Sequence, residues 1–306
     1  MLTEDLTIDS CSLVALLKEY GIAAARLEFL PIGADGHNYR VEDRGRWFVS
    51  IKRVMPHREA AVDARGLERS YRAARRLCDE AGIDFLSLAL PRADGRYVST
   101  FAGRPVVVQR WLDGGSHEPM TGEETAAVVE RIRRLHAATA EVLGLDLPSE
   151  TFDTVFVPVL QTALRRSLEG RQDVGPQSAW LRETLASKRA GIMETLARFR
   201  AGRAAVLSRS RKRWVVTHGE PHGANVVWSP DGPVLVDCGE LRLAPPERDL
   251  MVMEIAGDEE VTRLYQRRWV LSEIAEYADR LSRPHGDDPE DRRAREQLIQ
   301  WLGWTG

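Results

Sequence analysis

The 306-residue sequence predicts an α+β protein of two lobes, a small antiparallel-sheet lobe followed by a larger, mainly helical one. A chain of this length with 43% hydrophobic residues can bury more than one small core. Strand-like runs separated by turns fill its first third, whereas apolar residues at helical spacing dominate its second half. We therefore place an N-terminal lobe at 1–108, a hinge at 109–115 and a C-terminal lobe at 116–306.

Composition and charge argue against several classes of protein. The formal net charge of −3 gives no reason to expect binding to nucleic acid. The three cysteines, Cys11, Cys78 and Cys238, lie far apart, which argues against disulfides and a cysteine zinc site. The N-terminus has no targeting pattern, and no apolar run approaches the ~20 residues of a membrane span. We expect a cytoplasmic monomer or weak dimer that binds neither membranes nor nucleic acid.

Capping and turn residues define the elements of the N-terminal lobe. Asp9 or Ser10 caps a short helix that stops at Gly21. Turn residues then separate five strand-like runs, at 27–32, 39–42, 47–52, 97–101 and 105–109. A helix is predicted at 58–78, between the third and fourth runs. The hinge follows the fifth run, and the adenine of a nucleotide would fit against its backbone groups.

The first two strands enclose a glycine loop that could bind phosphate. Gly33 and Gly36 lie in this loop, and Lys52 closes the third strand. Glycines let backbone N–H groups approach an anion closely, and a lysine on an adjacent strand could reach the same phosphates. Glu68, or its competitor Glu59, could pair with Lys52 and hold it there. Taken alone, the segment fits an ordinary surface hairpin with a solvated lysine more simply.

Helical patterns dominate the C-terminal lobe. Thr121 and Glu124 have the spacing of a capping box, and the helix they open carries an apolar stripe that reaches Val142. His136, beside that stripe, is interpreted as a packed, hydrogen-bonded structural histidine. Further helices are predicted at 157–168, at 179–199 and from 243 onward, with a mobile loop at 283–291 before a short terminal helix.

The stretch 214–240 carries most of the predicted chemistry. The turn signal at 229–232 joins two short apolar runs into a hairpin, at 226–228 and 234–236. This hairpin brings Asn225 and Asp237 close together. An amide oxygen and a carboxylate at one end of a small sheet can share a hard cation such as Mg²⁺. Glu220 then faces whatever the metal holds.

In their order and spacing, these features resemble the aminoglycoside phosphotransferase family, the antibiotic and small-molecule kinases with a bilobal protein-kinase-like fold. The resemblance covers nearly the whole chain. It rests on the glycine loop 33–36, Lys52, Glu68, the hinge near Gln109 to Trp111, the helix through His136, the loop from His218 to Asn225, Asp237 and the Pro-Pro-Glu-Arg-Asp-Leu run at 245–250.

The resemblance implies roles in phosphoryl transfer. Lys52 would contact the α- and β-phosphates of ATP (or GTP), and Glu68 would steady it. Asn225 and Asp237 would hold Mg²⁺, and Glu220 stands where the family usually has the catalytic aspartate.

Four further residues are implied in supporting roles. Gln109 and Trp111 would lie at the nucleotide hinge, and Asp249 would brace the catalytic loop. His222 occupies the place where protein kinases carry a lysine, and could approach the transferred phosphate.

Two departures from the family pattern concern local geometry. Glu220 carries one methylene more than an aspartate, and a shift of about 1 Å in a reacting group can cost ~10²-fold in rate. Pro221 restricts Glu220 toward extended geometry, so a compensating backbone shift is expected and Glu220 is interpreted as a variant base. The pair Cys238-Gly239 follows the metal aspartate where the family often has an aromatic residue.

The acceptor is predicted to be a small cationic molecule such as an aminoglycoside or aminocyclitol. The segment 237–260 carries eight acids against two arginines, which suits a cationic substrate, although a solvated helix start explains the acids equally well. The run 243–250 leans toward spectinomycin-type phosphotransferases and antibiotic resistance. A metabolic kinase for choline, homoserine or a sugar, and a non-catalytic pseudokinase because of Glu220, are the alternatives.

Motifs argue against two other enzyme classes. The His-x-Glu pattern from His218 to Glu220 occurs in zinc deaminases, but no Pro-Cys-x-x-Cys follows it here. The sequence contains no Gly-Lys dipeptide, which excludes a P-loop nucleotide site.

Overall fold

The computed structural model describes residues 8–23, 26–33, 36–53, 64–139, 144, 146–170, 173–209 and 211–305. Its strands are Arg26–Leu30 (β1), Gly36–Glu42 (β2), Arg46–Lys52 (β3), Val98–Phe101 (β4), Arg104–Arg110 (β5), Val215–Thr217 (β6), Val226–Ser229 (β7), Gly232–Leu235 (β8) and Arg242–Ala244 (β9). Its helices are Ser10–Leu17 (α1), Ala64–Ala81 (α2), Gly122–Ala137 (α3), Phe156–Glu169 (α4), Ser178–Leu207 (α5), Glu247–Leu250 (α6), Glu259–Leu281 (α7) and Pro289–Leu302 (α8). Over these ranges, no helix is both long enough and apolar enough to cross a membrane.

The chain divides into two compact units. The first contains the described residues of 8–53, 64–150 and 212–256. The second contains those of 151–211 and 257–305. Every strand and every predicted site residue belongs to the first unit, so the candidate site can be described within it alone.

A five-stranded antiparallel sheet forms the N-terminal part of the first unit, with strand order β1-β2-β3-β5-β4. Its register pairs Gly36 with Lys52 across β2 and β3. Because side chains alternate between the faces of a sheet, Lys52 points away from the face that carries Val49 and Ile51. The end of the glycine loop and the lysine therefore share one end of the sheet.

Helix α1 covers the other face of this sheet. Asp9 caps the helix by accepting hydrogen bonds from the N–H groups of Cys11 and Ser12, as its sequence position predicts. The apolar side chains of Leu13 and Leu17 pack in one core with sheet residues such as Val49. Because α1 covers the face that carries Val49 and Ile51, the side chain of Lys52 lies on the opposite face.

Helix α2 packs on the turn that follows Asp237. Ser70 Oγ donates a 2.9 Å hydrogen bond to the carbonyl of Leu241, and Leu67 lies against Gly239. A Cβ at Gly239 would lie 2.6 Å from Leu67 Cδ2, so a larger residue there would require the Leu67 side chain to move. The departure from the family's aromatic residue thus has a packing reason.

Two pairs of short antiparallel strands carry the loops of the candidate site. Strands β7 and β8 pair through Ser229 and Gly232, which confirms the predicted hairpin and its turn. Strand β6 pairs with β9. The sequence interpretation was wrong at β9, because the last helical block was expected to begin at 243, whereas α6 begins at Glu247. The two prolines at 245 and 246 remove backbone donors, so a helix cannot extend back through them.

The second unit consists of α4, α5, α7 and α8. Helix α5 runs to Leu207, well past the predicted end at 199, since Gly202 is tolerated inside it. Helix α8 begins at Pro289, inside the predicted mobile loop 283–291. Asp288 caps it by accepting from the N–H groups of Glu290 and Asp291, so this loop interpretation was wrong for its last residues.

Candidate active site

A lysine and an aspartate from distant parts of the sequence meet at the centre of the candidate site. The Nζ atom of Lys52 lies 2.8 Å from Oδ1 of Asp237, and the two side chains are 11% and 30% exposed. Burial alone would raise the pKa of Asp237, but the charge and hydrogen bond of Lys52 outweigh burial and lower this pKa. The pair therefore presents a charged carboxylate at neutral pH.

Asn225 stands beside Asp237 at the same end of the β7–β8 hairpin. The N–H of Val236 donates to the carbonyl of Asn225 at 3.0 Å. Asn225 Nδ2 donates to the carbonyl of Glu220, also at 3.0 Å, and so ties the hairpin to the preceding loop. This bond directs the amide nitrogen toward the loop and leaves the amide oxygen for another partner.

The side-chain oxygens of Asn225 and Asp237 fit a magnesium ion. In the described part of the chain, no hydrogen bond is formed to Asn225 Oδ1 or to Asp237 Oδ2. An amide oxygen and a carboxylate oxygen are ligands that Mg²⁺ accepts, together with water and substrate phosphates. The described residues contain no converging group of three His, Cys, Asp or Glu side chains. An ion at this site would take its remaining ligands from water and substrate phosphates.

Asp249 anchors the loop that carries Glu220. This fully buried carboxylate accepts hydrogen bonds from the N–H groups of His218 at 3.0 Å and Gly219 at 2.6 Å. It also lies 2.9 Å from His136 Nε2. Burial would raise the pKa of Asp249, but the bond to His136 and nearby positive charges outweigh burial and lower it. His136 is thus the hydrogen-bonded structural histidine that its sequence position suggested.

Arg248 presses on the same loop from its other side. Its Nη1 donates to Thr217 Oγ1 at 3.0 Å, and its Nη2 donates to Glu240 at 3.0 Å. Gly219 has a φ of 107°, and a Cβ there would lie 2.6 Å from Nη1 of Arg248. Only glycine allows this conformation and this close approach. The guanidinium thereby links the loop before Glu220 to the turn after Asp237.

His218 belongs to the core and not to the chemistry. Its side chain is 1% exposed, and Nε2 lies 2.8 Å from the carbonyl of Val236. Burial lowers the pKa of His218 despite the nearby charge of Asp249. A neutral, fully buried imidazole ties the two loops together.

Glu220 is half-exposed and lies next to His222. The distance from Glu220 Oε2 to His222 Nε2 is 3.8 Å, and His222 Nδ1 lies 3.0 Å from Glu118 Oε1. Burial lowers the pKa of His222, but the two carboxylates outweigh burial and raise it. The charge of Glu220 also acts on Asp237, where it opposes the effect of Lys52. The acid is thus close to both the imidazole and the predicted metal ligand.

A known protein family matches this chain over most of its length. The model of the phosphotransferase enzyme family matches residues 26–284. The chain belongs to this family. The resemblance to the aminoglycoside phosphotransferase family is confirmed, and the protein is a phosphotransferase.

Known relatives resemble the phosphotransferase over most of its length. Protein StrN of Streptomyces griseus is 30% identical over 288 residues, which covers 90% of this chain and 86% of the relative. Spectinomycin phosphotransferase APH(9)-Ia, solved with ADP and spectinomycin, superposes with a TM-score of 0.73 at 15% identity and 98% coverage of both chains. APH(2")-IIia, solved with GDP and kanamycin, gives 0.53 at 14% identity and 97% coverage of both. These two likenesses confirm the protein-kinase-like α+β fold.

Glu68 does not take the place that the family resemblance implied. Its carboxylate accepts hydrogen bonds from the N–H groups of Tyr97 at 2.8 Å and Val98 at 3.0 Å, and it pairs with Arg72. The prediction that Glu68 steadies Lys52 is wrong for this structure, because the start of β4 uses the carboxylate as its hydrogen-bond acceptor. The competing residue, Glu59, lies outside the described residues.

The predicted hinge side chains are used within the phosphotransferase itself. Gln109 is buried in β5, and its Nε2 donates to the Oγ of Ser87 at 2.8 Å and to its carbonyl at 3.1 Å. Trp111 stacks with the guanidinium of Arg40, which lies 5.1 Å from the ring centroid. Neither side chain is shown to face a nucleotide.

The glycine loop is described at its two ends. Gly33 has a φ of 72°, and Gly36 begins β2. A Cβ at Gly36 would lie 2.7 Å from Ser50 Oγ, so a larger residue at this position would require the Ser50 side chain to move. Positions 34 and 35 lie outside the described residues.

The acids of 237–260 are mostly committed to the protein's own structure. Six of them pair with basic side chains, namely Asp237 with Lys52, Glu240 with Arg248, Asp249 with His136, Asp258 and Glu260 with Arg209, and Glu259 with Arg263. Glu247 is buried. These pairings favour the alternative that the acids serve the protein's own structure, and the acidic edge for a cationic substrate stays a prediction.

Sequence reasoning missed the roles of Arg248 and Glu118. Arg248 stands beside Asp249 in the run that suggested the family, but no pattern indicated that its guanidinium would cover Gly219. Glu118 follows the predicted hinge and carries no motif at all. Only the tertiary structure brings it to His222.

Proposed function

We propose that the phosphotransferase moves the γ-phosphate of ATP or GTP to a hydroxyl of a small, cationic molecule such as an aminoglycoside or aminocyclitol. The observation that carries this proposal is the meeting of Lys52, Asp237 and Asn225 beside the loop of Glu220. Phosphoryl transfer needs mainly placement and neutralisation of charge on the phosphate oxygens. This group of side chains supplies a cation, oxygen ligands for a metal and an acid in one unit.

The nucleotide would lie along the lysine face of the five-stranded sheet. Lys52 would neutralise phosphate oxygens, and Gly33 and Gly36 would bring backbone N–H groups near them. Asp237 and Asn225 would hold Mg²⁺, which neutralises phosphate charge when it is bound. Since the side chains of Gln109 and Trp111 contact the protein, the base would be bound by hinge backbone groups.

Glu220 would act on the acceptor. A carboxylate at this point can orient the substrate hydroxyl and accept its proton as the new P–O bond forms. Asp249 and Arg248 would keep the Glu220 loop in place through its backbone. The long side chain of Glu220 is then placed by its neighbours, which is how one extra methylene can be accommodated.

The cationic acceptor is supported by exposed acids at the site and by the fold. Glu118 and Glu220 are 52% and 31% exposed and lie on either side of His222. These acids add a second reason to expect an ammonium-bearing substrate, beside the acids of 237–260. Spectinomycin phosphotransferase shares the fold over 98% of this chain, so aminocyclitols are the first acceptors to test.

A coupled ADP-release screen tests the proposal. The panel contains spectinomycin, aminoglycosides, macrolides, choline and homoserine, each with ATP or GTP and Mg²⁺. We expect acceptor-dependent release with at least one amino sugar or aminocyclitol. Release with choline or homoserine alone would favour a metabolic kinase, and no release with any acceptor would contradict the proposed transfer.

A further inference from the structure

A short segment after the predicted hinge is fixed against the loop that carries the acid. The N–H of Trp228 donates to the carbonyl of Gly115 at 2.9 Å. The ring of His117 stacks on Trp228 with centroids 6.2 Å apart. These contacts hold the segment on strand β7, directly after the loop of Glu220 and His222.

The close approach of the two segments depends on Gly223. A Cβ at this position would clash with the carbonyl oxygen of His117 and would lie 2.9 Å from Glu118 Cγ and 3.0 Å from Met120 Cγ. The absence of a side chain at Gly223 therefore lets the segment lie flat on the loop. Backbone packing therefore places Glu118 beside His222.

His222 lies between two carboxylates. Glu118 Oε1 is 3.0 Å from Nδ1 of the imidazole, and Glu220 Oε2 is 3.8 Å from Nε2. Nδ1 is buried without an aligned hydrogen bond from the described residues, so its relation to Glu118 is a close charge contact. Nε2 also lies 3.4 Å from Asn225 Nδ2.

From this geometry we propose that Glu118 is a positioning residue, which holds the imidazole of His222 so that its other edge faces Glu220. The role in phosphoryl transfer rests on the proposed function. An imidazole can turn about its Cβ–Cγ bond, and the Glu118 contact removes that freedom. A displacement of about 1 Å in a reacting group can lower the rate ~10²-fold. A fixed His222 ring therefore keeps a constant position next to Glu220.

The kinetic test is a double-mutant cycle. The variants are Glu118→Ala, His222→Ala and the double variant, with Glu123→Ala as the control, a nearby exposed acid in the first turn of α3. We expect Glu118→Ala to lower kcat about 10-fold, within the loss that a misplaced group causes, with an unchanged Kd for Mg²⁺–ADP. In the His222→Ala background the same change should have no further effect. Unchanged kcat in Glu118→Ala, or additive losses in the double variant, would overturn the proposal.

An NMR comparison tests the contact without using turnover. The imidazole signals of His222 are assigned by their absence in His222→Ala. Glu118→Ala should shift these signals and Glu123→Ala should leave them in place, whereas unshifted signals in Glu118→Ala would overturn the proposal. If the protein binds no nucleotide, the proposed function is wrong. The NMR comparison would still show whether Glu118 holds His222.

Discussion

Lys52 Nζ and Asp237 Oδ1 lie 2.8 Å apart although 185 residues separate them in the chain. Through this pair the five-stranded sheet reaches the β7–β8 hairpin. Because the lysine lowers the pKa of the aspartate, the carboxylate is charged where a metal would bind.

Lys52→Ala should weaken nucleotide binding. A hydrogen bond to a charged group contributes about 1.5–3 kcal/mol, so the Kd for Mg²⁺–ATP should rise roughly 10- to 100-fold. Isothermal titration calorimetry measures this directly. Lys18→Ala, an exposed lysine on the other side of the sheet, is the control and should bind as the wild type does. Equal affinities in both variants would remove Lys52 from the nucleotide site.

Asp249→Asn should destabilise the first unit and disturb the Glu220 loop. The carboxylate serves two backbone N–H groups and His136, and an amide cannot accept at both of its ends. We expect the free energy of unfolding to fall by about 1–3 kcal/mol, measured by urea denaturation. Glu254→Gln, at an exposed acid, should leave it unchanged. A stable Asp249→Asn with full activity would contradict the anchoring role.

His222 should make stability depend on pH in a defined direction. Its pKa is raised in the folded protein, so its contribution is fully present below the unfolded pKa of about 6.5 and is lost as pH rises through the folded pKa. The difference in unfolding free energy between wild type and His222→Asn should therefore be larger at pH 6 than at pH 9. Denaturant titrations at both values measure it. A difference that grows with pH would show that the carboxylates do not stabilise the charged imidazole.

Local signals predicted the elements, because their causes lie within a few residues. The capping box of Thr121 and Glu124 forms as its spacing indicates, with each side chain meeting the backbone N–H of the other residue. The turn at Ser229–Gly232 closes the predicted hairpin. The contents of the hairpin end, Asn225 and Asp237, followed from that turn.

Long-range partners could not be predicted from the sequence. Glu68 lies on the predicted helix, but its choice between Lys52 and the N–H groups of β4 depends on where the strand begins in space. The same holds for Glu118, whose partner His222 is more than 100 residues away in the chain. The acids of 237–260 looked like an open surface because several of their partners, Lys52, His136 and Arg209, lie far away in the chain.

Glu220→Gln separates proton acceptance by Glu220 from nucleotide binding. The amide keeps the size of the side chain but cannot accept a proton, so transfer to the acceptor should be lost while the Kd for Mg²⁺–ATP stays within about twofold of the wild type. Phosphorylated acceptor is measured by mass spectrometry, and nucleotide affinity by calorimetry on the same preparation. We expect Glu220→Gln to bind Mg²⁺–ATP as the wild type does and to form no phosphorylated acceptor. Full transfer activity in Glu220→Gln would contradict a role of Glu220 as the base.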